Sequence, residues 1–582
     1  MVRTKQKYIG EKQMKILAIH FHSHDTSVVL IENGTVLYAA GNERFSRKKM
    51  DRSIPIQALR DCLKYTHTAP GEIDKVVFVG DSLPRAFLNR FKELSVVPII
   101  TRGEYFIWWK KLHYILREII IATGIPTFFY RDFIPRIVLK KELHGYKGTY
   151  SCVHHHLAHS YSTYYTSLWE ECLVMAIEGS GLNETMSIFK VTNGKWVKLM
   201  ESRLPNSAGR FYELATQLLG FNLYRHAGKV TGLAAYGNPE KAYHKIKELI
   251  SVEGENLNLN IRTFFKWHIG YFLTHQLPLE LSTYSKEDIA AAFQRRLEEC
   301  VLEIVKKVAQ ETGIRRLAIA GGVAANVKLN QKLHELKEID EIHIHQAMGD
   351  DGLALGAALH TAFLHGFKPG KLNTLYLGPD FSDQEIHKAL KKYNVQYTKE
   401  KNIEKKVAQL VADGKVVARF NGRMEYGPRA LGNRSILYQT TDKTVNDWLN
   451  KRLKRTEFMP FAPVTLEEYA KKCYKNVKGA EYPARFMTLT FACTDYMKKV
   501  SPAVVHVDGT ARPQIIRKED NTNYYKIVEE YFKITKIPSL VNTSFNMHEE
   551  PIVCTPDDAL RAFLSGELDY LAIGEYLVSR KP

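Results

Sequence analysis

Apolar runs near the start of the chain predict a three-stranded unit. The stretch KILAIHFHSHDTSVVLIENGTVLYAA contains two apolar runs separated by a polar turn, and an Asn33-Gly34 pair precedes a third run. Because Asn-Gly favours a tight hairpin, the pattern indicates strand, turn, strand, hairpin and strand. The same order returns in CLVMAIEGSGLNETMSIFKVTNGKWVKLM, where Asn193-Gly194 occupies the hairpin. The chain is therefore expected to contain two copies of one strand unit.

Two such units predict duplicated halves, each opening with a sheet whose first turn faces a shared cleft. Actin and the sugar kinases are built from halves of this kind. The pattern therefore favours an α/β chain whose N-terminal part has an actin-like nucleotide fold.

A long amphipathic helix is predicted from Ser285, which forms a capping-box pair with Asp288, to Gly313. Its apolar stripe is formed by Ile289, Phe293, Leu297, Ile304 and Val308. The next segment, RRLAIAGGVAANVKLNQKL, predicts a short strand, a Gly321-Gly322 turn and a helix whose first amides can approach a nucleotide. A glycine pair is equally compatible with a tight turn that binds nothing.

Glycine, proline and lysine interrupt the pattern between Gly366 and Asn373. A second α/β unit follows, in which the helical patterns SDQEIHKALKKY and NIEKKVAQLVADG lead to the strand KVVARF and a glycine-rich loop. We therefore expect one domain over residues 1–370 and another over residues 371–582.

Composition narrows the class of protein. With 582 residues, 45% of them hydrophobic, the chain can bury large cores. Its seven cysteines include no C-x-x-C pair, which argues against a disulfide framework or a zinc ribbon. The sequence contains neither a signal-peptide pattern nor an apolar run long enough to span a membrane, so we predict a cytoplasmic protein.

The formal charge of +19 favours anionic partners, which include nucleotides, phosphorylated substrates, nucleic acid and membrane surfaces. Residues 100–145 interleave aromatic side chains with lysine and arginine. Three interpretations of this region stay open: a core-packed helical insertion with a basic solvated side, an interfacial helix, and a cap that binds an acceptor.

The stretch SCVHHHLAHSYS places four histidines within six residues. In a helix, His155 and His159 stand four residues apart and therefore on one face, which is metal-ligand spacing. A third ligand must come from elsewhere in the chain. The alternative interpretation is a histidine-rich surface.

Cations concentrate in the second α/β unit. The loop NGRMEYGPRALGNRSIL holds Arg423, Arg429 and Arg434, KRTEFMPFAP adds Lys454 and Arg455, and HVDGTARPQ adds Arg512. Arginine binds phosphate bidentately, while neighbouring glycines let backbone amides approach the same anion. The strand SLVNTSFN ends in a turn rich in donors at Ser544. These features predict a polyphosphate pocket, although each alone is compatible with a solvated loop or a capped turn.

The ordered motifs resemble one family. The chain is similar to the NodU/CmcH O-carbamoyltransferases in a series of motifs that occur in the family's order. These motifs are HDTS, NERFSRKKMD, HHHLAHS, GKVTGLAAYG, AGGVAAN, GDDGLALGAAL, GRMEYGPRALGNRSIL, PFAP, DGTARPQ and NTSFNMHEEPIV. The resemblance runs from Lys15 almost to the C-terminus. It implies an actin-like N-terminal domain, similar to the tRNA threonylcarbamoyladenosine transferase, and a YrdC-like C-terminal domain.

The resemblance also implies the chemistry. The YrdC-like domain would make carbamoyl adenylate from carbamoyl phosphate and ATP, which is bound with Mg²⁺. The N-terminal domain would then transfer the carbamoyl group to a hydroxyl of a small-molecule or glycan acceptor. A homodimer without a stable nucleic-acid partner is expected.

Roles are implied residue by residue. The resemblance implies that His155, His159 and Asp350 are the metal ligands and would hold iron(II). The catalytic residues are His24 as general base, Asp25, Arg512 and Ser544. The cofactor-binding residues are Lys49, Lys229, Gly321, Gly322, Asn326, Arg423, Arg429, Arg434, Lys454 and Arg455. Two residues depart from the family pattern: Glu178 stands where the family often has aspartate, and Met459 stands where several relatives have arginine.

Two other functions compete with carbamoyl transfer to a small acceptor. A tRNA-modifying enzyme would bind RNA with a steep salt dependence. A non-catalytic actin-fold nucleotide-binding protein would bind ATP without turnover.

Overall fold

A computed structural model describes residues 13–21, 23–79, 137, 139–181, 183–254, 256–370, 372, 374–455 and 459–580. Most of the aromatic and basic region 100–145 lies outside these residues. No helix among the described residues has the length and apolarity needed to cross a membrane.

The strands of the N-terminal part begin where the apolar runs predicted them. Their bounds are β1 Lys15–His20, β2 Ser27–Glu32, β3 Thr35–Gly41, β4 Lys75–Val79, β5 Thr149–Val153, β6 Glu171–Gly181, β7 Glu184–Thr192, β8 Lys195–Arg203, β9 Ile250–Glu253, β10 Asn256–Leu259, β11 Arg316–Ala320 and β12 Glu341–Ile344. Asn33 and Gly34 both take positive φ angles, of 50° and 81°, as the hairpin between β2 and β3 requires.

The two predicted strand units form two sheets of the same topology. The first has the order β3-β2-β1-β4-β5 and the second β8-β7-β6-β11-β12. In each sheet the first three strands are antiparallel and the last two run parallel to the first strand. The predicted duplication is therefore confirmed, and it gives the N-terminal part the two-halved arrangement expected of an actin-like fold.

Helices of the N-terminal part are Glu43–Ser46, Ile56–Tyr65, His155–Ser167, Ala208–Leu218, Ala227–Ala234, Pro239–Ile246, Ile261–Thr274, Lys286–Thr312, Val327–His334 and Leu353–Leu364. The predicted long helix is confirmed, since the Ser285 side chain accepts a hydrogen bond from Asp288 N and Gly313 ends the helix with φ 69°. A 3₁₀ turn at Gly322–Ala325 begins at the second glycine of the pair and precedes the helix, which Asn326 caps.

The core between the two sheets holds two helices, His155–Ser167 and Leu353–Leu364. Buried side chains from both sheets, such as Val77 of β4 and Val174 of β6, pack with the helix residues Ala158 and Ala358 in one cluster. Because the two helices pack together, the histidine motif of the helix His155–Ser167 lies close to the aspartate motif that precedes the helix Leu353–Leu364.

The C-terminal part forms an eight-stranded mixed sheet with the order β13-β22-β21-β14-β15-β20-β16-β19. The strands of this sheet are β13 Gln396–Lys399, β14 Val417–Phe420, β15 Arg434–Tyr438, β16 Ala462–Leu466, β19 Gln514–Ile516, β20 Ser539–Ser544, β21 Tyr570–Ile573 and β22 Tyr576–Ser579. A separate two-stranded sheet is formed by β17 Phe491–Ala492 and β18 Thr510–Ala511. The helices of the C-terminal part are Asp383–Tyr393, Ile403–Ala412, Val445–Arg452, Ala470–Cys473, Glu481–Ala484, Asp495–Val500, Thr522–Thr535 and Pro556–Ser565.

Candidate active site

Two histidines of the HHHLAHS motif lie beside two carboxylates. The helix begins at His155, so His155 and His159 point the same way as their spacing predicted. His159 Nε2 lies 3.4 Å from Asp350 Oδ1 and 3.6 Å from Glu178 Oε2, and His155 Nε2 lies 3.1 Å from the same Glu178 oxygen. One ligand atom from each of the four buried residues falls within 4.8 Å of the others.

The close approach of the two central helices makes this cluster possible. A Cβ atom at Gly356 would overlap the Ala158 carbonyl oxygen, so only glycine allows the helices to pack at this distance. Asp350 stands at the start of the turn that leads into the second helix. Ser23, from the turn after β1, donates a hydrogen bond to Asp350 and adds the first half of the chain to the site.

Sequence reasoning did not place Glu178 among the ligands, because it noted this residue only as a departure from the family pattern. The position of Glu178 in the duplicated strand pattern was a signal that could have identified it as a ligand. Glu178 lies near the end of β6, the first strand of the second copy, where the duplicated plan puts a turn on the shared cleft.

The electrostatics of the cluster favour a bound cation. Burial alone would raise the pKa values of Glu178 and Asp350, but the neighbouring histidines hold both well below the ordinary range. His159 Nε2 and Glu178 Oε1 are buried without a hydrogen bond of good geometry among the described residues. Imidazole and carboxylate donors in this mixture suit a divalent transition metal, so the residues fit the implied ion.

His24 lies at the edge of the same cluster. Its Nδ1 is 2.8 Å from Asp25 Oδ2 and 3.8 Å from Asp350 Oδ2. Burial lowers the pKa of His24, but the two carboxylates outweigh it and raise the pKa to about 9. An imidazolium at neutral pH is an acid rather than a base. Any cation on Asp350 would cancel part of the carboxylate charge and move the pKa of His24 back toward neutrality.

One cavity of about 1120 Å³ joins this cluster to the C-terminal cations. Its lining includes residues predicted for both sites, namely His24, Asp25, Lys49, Lys229, Gly322, Asn326, Asp350, Arg429, Arg455, Arg512 and Ser544. Glu178 also lines it. The carboxylates of the metal-ligand cluster and the polyphosphate pocket predicted from separate motifs therefore line one cavity.

Arg429 and Arg512 form the cationic end of this cavity. Burial lowers the pKa of Arg429 to about 10, and burial together with Arg429 lowers the pKa of Arg512 well below its ordinary value. Arg429 Nε is buried without a hydrogen-bond partner among the described residues. Two desolvated guanidinium groups close to each other favour a bound anion, which would remove their repulsion.

The neighbouring loop is held in shape by Glu425, which sequence reasoning did not single out. Its Oε1 accepts hydrogen bonds from the backbone of Leu431, Asn433 and Arg434 at 2.8–3.0 Å. Arg455 orders the facing turn, because its guanidinium donates to Thr543 Oγ1 at 3.0 Å and to Ser544 O at 2.6 Å.

Two predicted phosphate-binding arginines lie outside the cavity lining. Arg434 is fully buried, stacks 3.7 Å from the Phe420 ring centre and donates to the carbonyls of Asn421, Gly422 and Asn433. Arg423 donates to the carbonyls of Gly378, Leu37 and Leu377. In this structure both guanidinium groups hold the backbone rather than face the cavity.

Two more predicted cofactor residues do not reach the cavity. Lys454 is exposed, on a turn with φ 55°. Gly321 has φ 99°, and a Cβ there would overlap the Ile177 carbonyl, so its conformation serves the close packing of the turn on β6. His155 and His159 lie just behind the lining, in the buried cluster.

Comparisons with known proteins cover most of the chain. A family model described as Carbamoyltransferase N-terminus matches residues 15–359, and one described as Carbamoyltransferase C-terminus matches residues 408–580. An uncharacterized protein of Methanocaldococcus jannaschii is 32% identical, over 98% of this chain and 100% of its own. The nodulation protein NolNO of Sinorhizobium fredii is 30% identical, over 96% of this chain and 79% of its own. The crystal structure of T. kodakarensis HypF aligns with 61% of this chain and 49% of its own at 13% identity and a TM-score of 0.35.

Proposed function

Because the chain belongs to the carbamoyltransferase family, we propose that it makes carbamoyl adenylate from carbamoyl phosphate and ATP and transfers the carbamoyl group to an acceptor hydroxyl. The acceptor class is a small molecule or a glycan. Residues 371–582 form the adenylate and residues 1–370 carry out the transfer. The observation that carries the proposal is the single cavity that contains both the Arg429–Arg512 pair and the carboxylates Glu178 and Asp350.

Adenylate formation needs a site for two phosphorylated substrates. Water first converts carbamoyl phosphate to carbamate and inorganic phosphate. A carbamate oxygen then attacks the α-phosphorus of ATP, and pyrophosphate leaves. Arg429 and Arg512 neutralise the phosphate groups, while Ser544 and the turn that Arg455 orders supply hydrogen-bond donors. Mg²⁺ accompanies the nucleotide.

The nucleotide part of carbamoyl adenylate binds across the N-terminal side of the cavity. Lys229 and Lys49 line that side and bring positive charge to the phosphate. Gly322 and Asn326 stand at the turn and cap of the helix after β11, where backbone N–H groups attract anions.

Transfer moves the carbamoyl carbon from the adenylate oxygen to the acceptor oxygen and releases AMP. His24 in its neutral form takes the acceptor's hydroxyl proton, and Asp25 orients its ring through the 2.8 Å contact to Nδ1. His155, His159, Glu178 and Asp350 would hold a divalent metal, iron(II) by family resemblance, which supplies Lewis-acid polarisation when bound.

The test is exchange of labelled pyrophosphate into ATP. We expect exchange that requires carbamoyl phosphate and no acceptor. Arg512→Ala should abolish it, because the cavity loses half of its cationic pair. Arg517→Ala is the matched control, since this arginine pairs with Asp520 outside the cavity. Full exchange in Arg512→Ala would remove the C-terminal pocket from the mechanism. ATP binding without any exchange would favour a nucleotide-binding protein instead.

A further inference from the structure

A carboxylate of the C-terminal part pairs with an arginine and a histidine of the N-terminal part. Glu549 follows β20, and its Oε2 lies 3.0 Å from Arg225 Nη1. Its Oε1 lies 3.0 Å from His226 Nε2. Arg225 and His226 directly precede the helix Ala227–Ala234 of the second half. The contact therefore joins two parts of the chain that fold around different sheets.

The same arginine reaches the first half as well. Arg225 Nη2 lies 3.5 Å from the Lys49 carbonyl oxygen. Lys49, Arg225, His226 and Glu549 all line the cavity. Three parts of the chain, the two halves of the N-terminal fold and the C-terminal sheet, thus meet at Arg225, which pairs with the Glu549 carboxylate on the cavity wall.

The local structure of Glu549 supports a specific role. The backbone φ of Glu549 is 58°, in the left-handed region that residues other than glycine and asparagine seldom adopt. The surrounding contacts must therefore hold the backbone in this conformation. Burial raises the pKa of Glu549, but hydrogen bonds from His226 and Arg225 outweigh it and lower the pKa to about 2. The neighbouring segment is fastened too, because Arg47 donates to the carbonyls of Pro551 and Ile552 at 2.7 Å.

We propose that Glu549 is a positioning residue that fastens the three parts around the cavity and thereby retains carbamoyl adenylate between its formation and its use. This inference rests on the proposed function. Escaped carbamoyl adenylate takes up water at its carbonyl carbon, the bond to the AMP oxygen breaks, and carbamate and AMP result. Carbamate then decomposes to carbon dioxide and ammonia. Retention prevents this loss by excluding bulk water.

The experiment uses ATP and carbamoyl phosphate without an acceptor and follows pyrophosphate release by the full chain. The wild-type enzyme should give a burst of about one pyrophosphate per chain, because the retained adenylate blocks the next turnover. Glu549→Gln should keep the burst and raise the slow rate after it by about two- to fivefold, the range expected when a partly exposed ion pair is lost. AMP and ammonia should accumulate in step.

Glu575→Gln is the matched control, because Glu575 pairs with Lys399 at 3.2 Å outside the cavity lining. Its slow rate should equal that of the wild type. The double variant Arg225→Glu with Glu549→Arg reverses the charges of the pair and should restore the slow pyrophosphate release of the wild type. If thermal unfolding shows that Glu549→Gln is poorly folded, the double variant tests the contact in its place.

A post-burst rate in Glu549→Gln equal to that of the wild type would overturn the inference, as would steady release by the wild type from the first turnover. The absence of any carbamoyl-phosphate-dependent release in the wild type is a different outcome. It would remove the proposed function itself, and retention with it.

Discussion

Asp350 Oδ1 lies 3.4 Å from His159 Nε2, in a contact between two motifs that are far apart in the chain. The helix after Asp350 packs against the helix that carries His159, and this packing brings the two groups together. The same carboxylate accepts a hydrogen bond from Ser23 of the first half. Asp350 therefore links the histidine cluster to the turn that carries His24, and the predictions below depend on this position.

Metal content should follow the four buried ligands. His159→Ala, Glu178→Ala and Asp350→Ala should each lower the divalent transition metal bound per chain, by about 10-fold or more in affinity, as removal of a ligand leaves an incomplete set. Metal analysis after dialysis measures this. His154→Ala is the control, because His154 precedes the helix and its Nδ1 lies 4.0 Å from Glu184. Equal loss in all four variants would contradict the assigned ligand set.

The two half-reactions should separate genetically. Asp350→Ala should keep carbamoyl-phosphate-dependent pyrophosphate exchange and lose transfer to any hydroxyl acceptor that the wild type uses, because its lesion lies on the transfer side of the cavity. Synthetic carbamoyl adenylate should restore product formation in Arg512→Ala and leave Asp350→Ala inactive. Rescue of Asp350→Ala but not of Arg512→Ala would reverse the assignment of the two steps.

The helix crossing should be sensitive to one methyl group. Gly356→Ala places a Cβ against the Ala158 carbonyl and should lower the free energy of unfolding by about 2 kcal/mol, with weaker metal binding because His159 moves away from Asp350. Gly270→Ala is the control, since its Cβ meets no atom within 4 Å and helix propensity favours alanine by about 0.5–1 kcal/mol. Urea unfolding compares the two. Equal effects would show that the crossing tolerates a side chain.

Arg434 should matter for stability rather than for nucleotide affinity. Arg434→Met leaves the buried carbonyls of Asn421 and Gly422 without their donor, and we expect a loss of about 3 kcal/mol in unfolding free energy. The KM for ATP of the folded enzyme should stay unchanged. Arg452→Met, which loses a more exposed 3.5 Å ion pair with Asp569, should cost less than about 1 kcal/mol. A raised KM with unchanged stability would return Arg434 to the phosphate site.

Acid should destabilise the chain partly through His343. Burial lowers the pKa of His343 from 6.5 to about 3, and the ring stacks 4.6 Å from Tyr482. Between these two pKa values His343 is protonated in the unfolded chain and neutral in the folded chain. The free energy of unfolding therefore falls as the pH falls below about 6.5. From pH 7 to 5 this group contributes a loss of about 2 kcal/mol.

His343→Phe keeps a stacking ring and should therefore flatten the acid side of the stability curve measured by urea unfolding at each pH. Replacement of the exposed His144 by phenylalanine should leave the slope unchanged. An unaltered slope in His343→Phe would mean that the ring is protonated in the folded state.

The sequence alone determined the features that depend on short-range physics. Apolar runs and Asn-Gly turns predicted both three-strand units, and capping and periodicity predicted the helix Lys286–Thr312. Spacing put His155 and His159 on one face. The order of the motifs along the chain indicated the carbamoyltransferase family. Each of these signals lies within a few residues, where propensity and hydrogen-bond geometry act directly.

Only the tertiary structure decided which polar groups share a space. Glu178 joins the histidines because the second sheet and the central helices pack together, and Glu549 meets Arg225 because the C-terminal part closes on the cleft. Arg429 and Arg434 belong to one motif, yet one lines the cavity and the other is buried among backbone carbonyls. Neighbouring positions in a loop carry similar sequence signals. Their surroundings come from distant parts of the chain, and these surroundings determine whether a guanidinium faces an anion site or satisfies buried carbonyls.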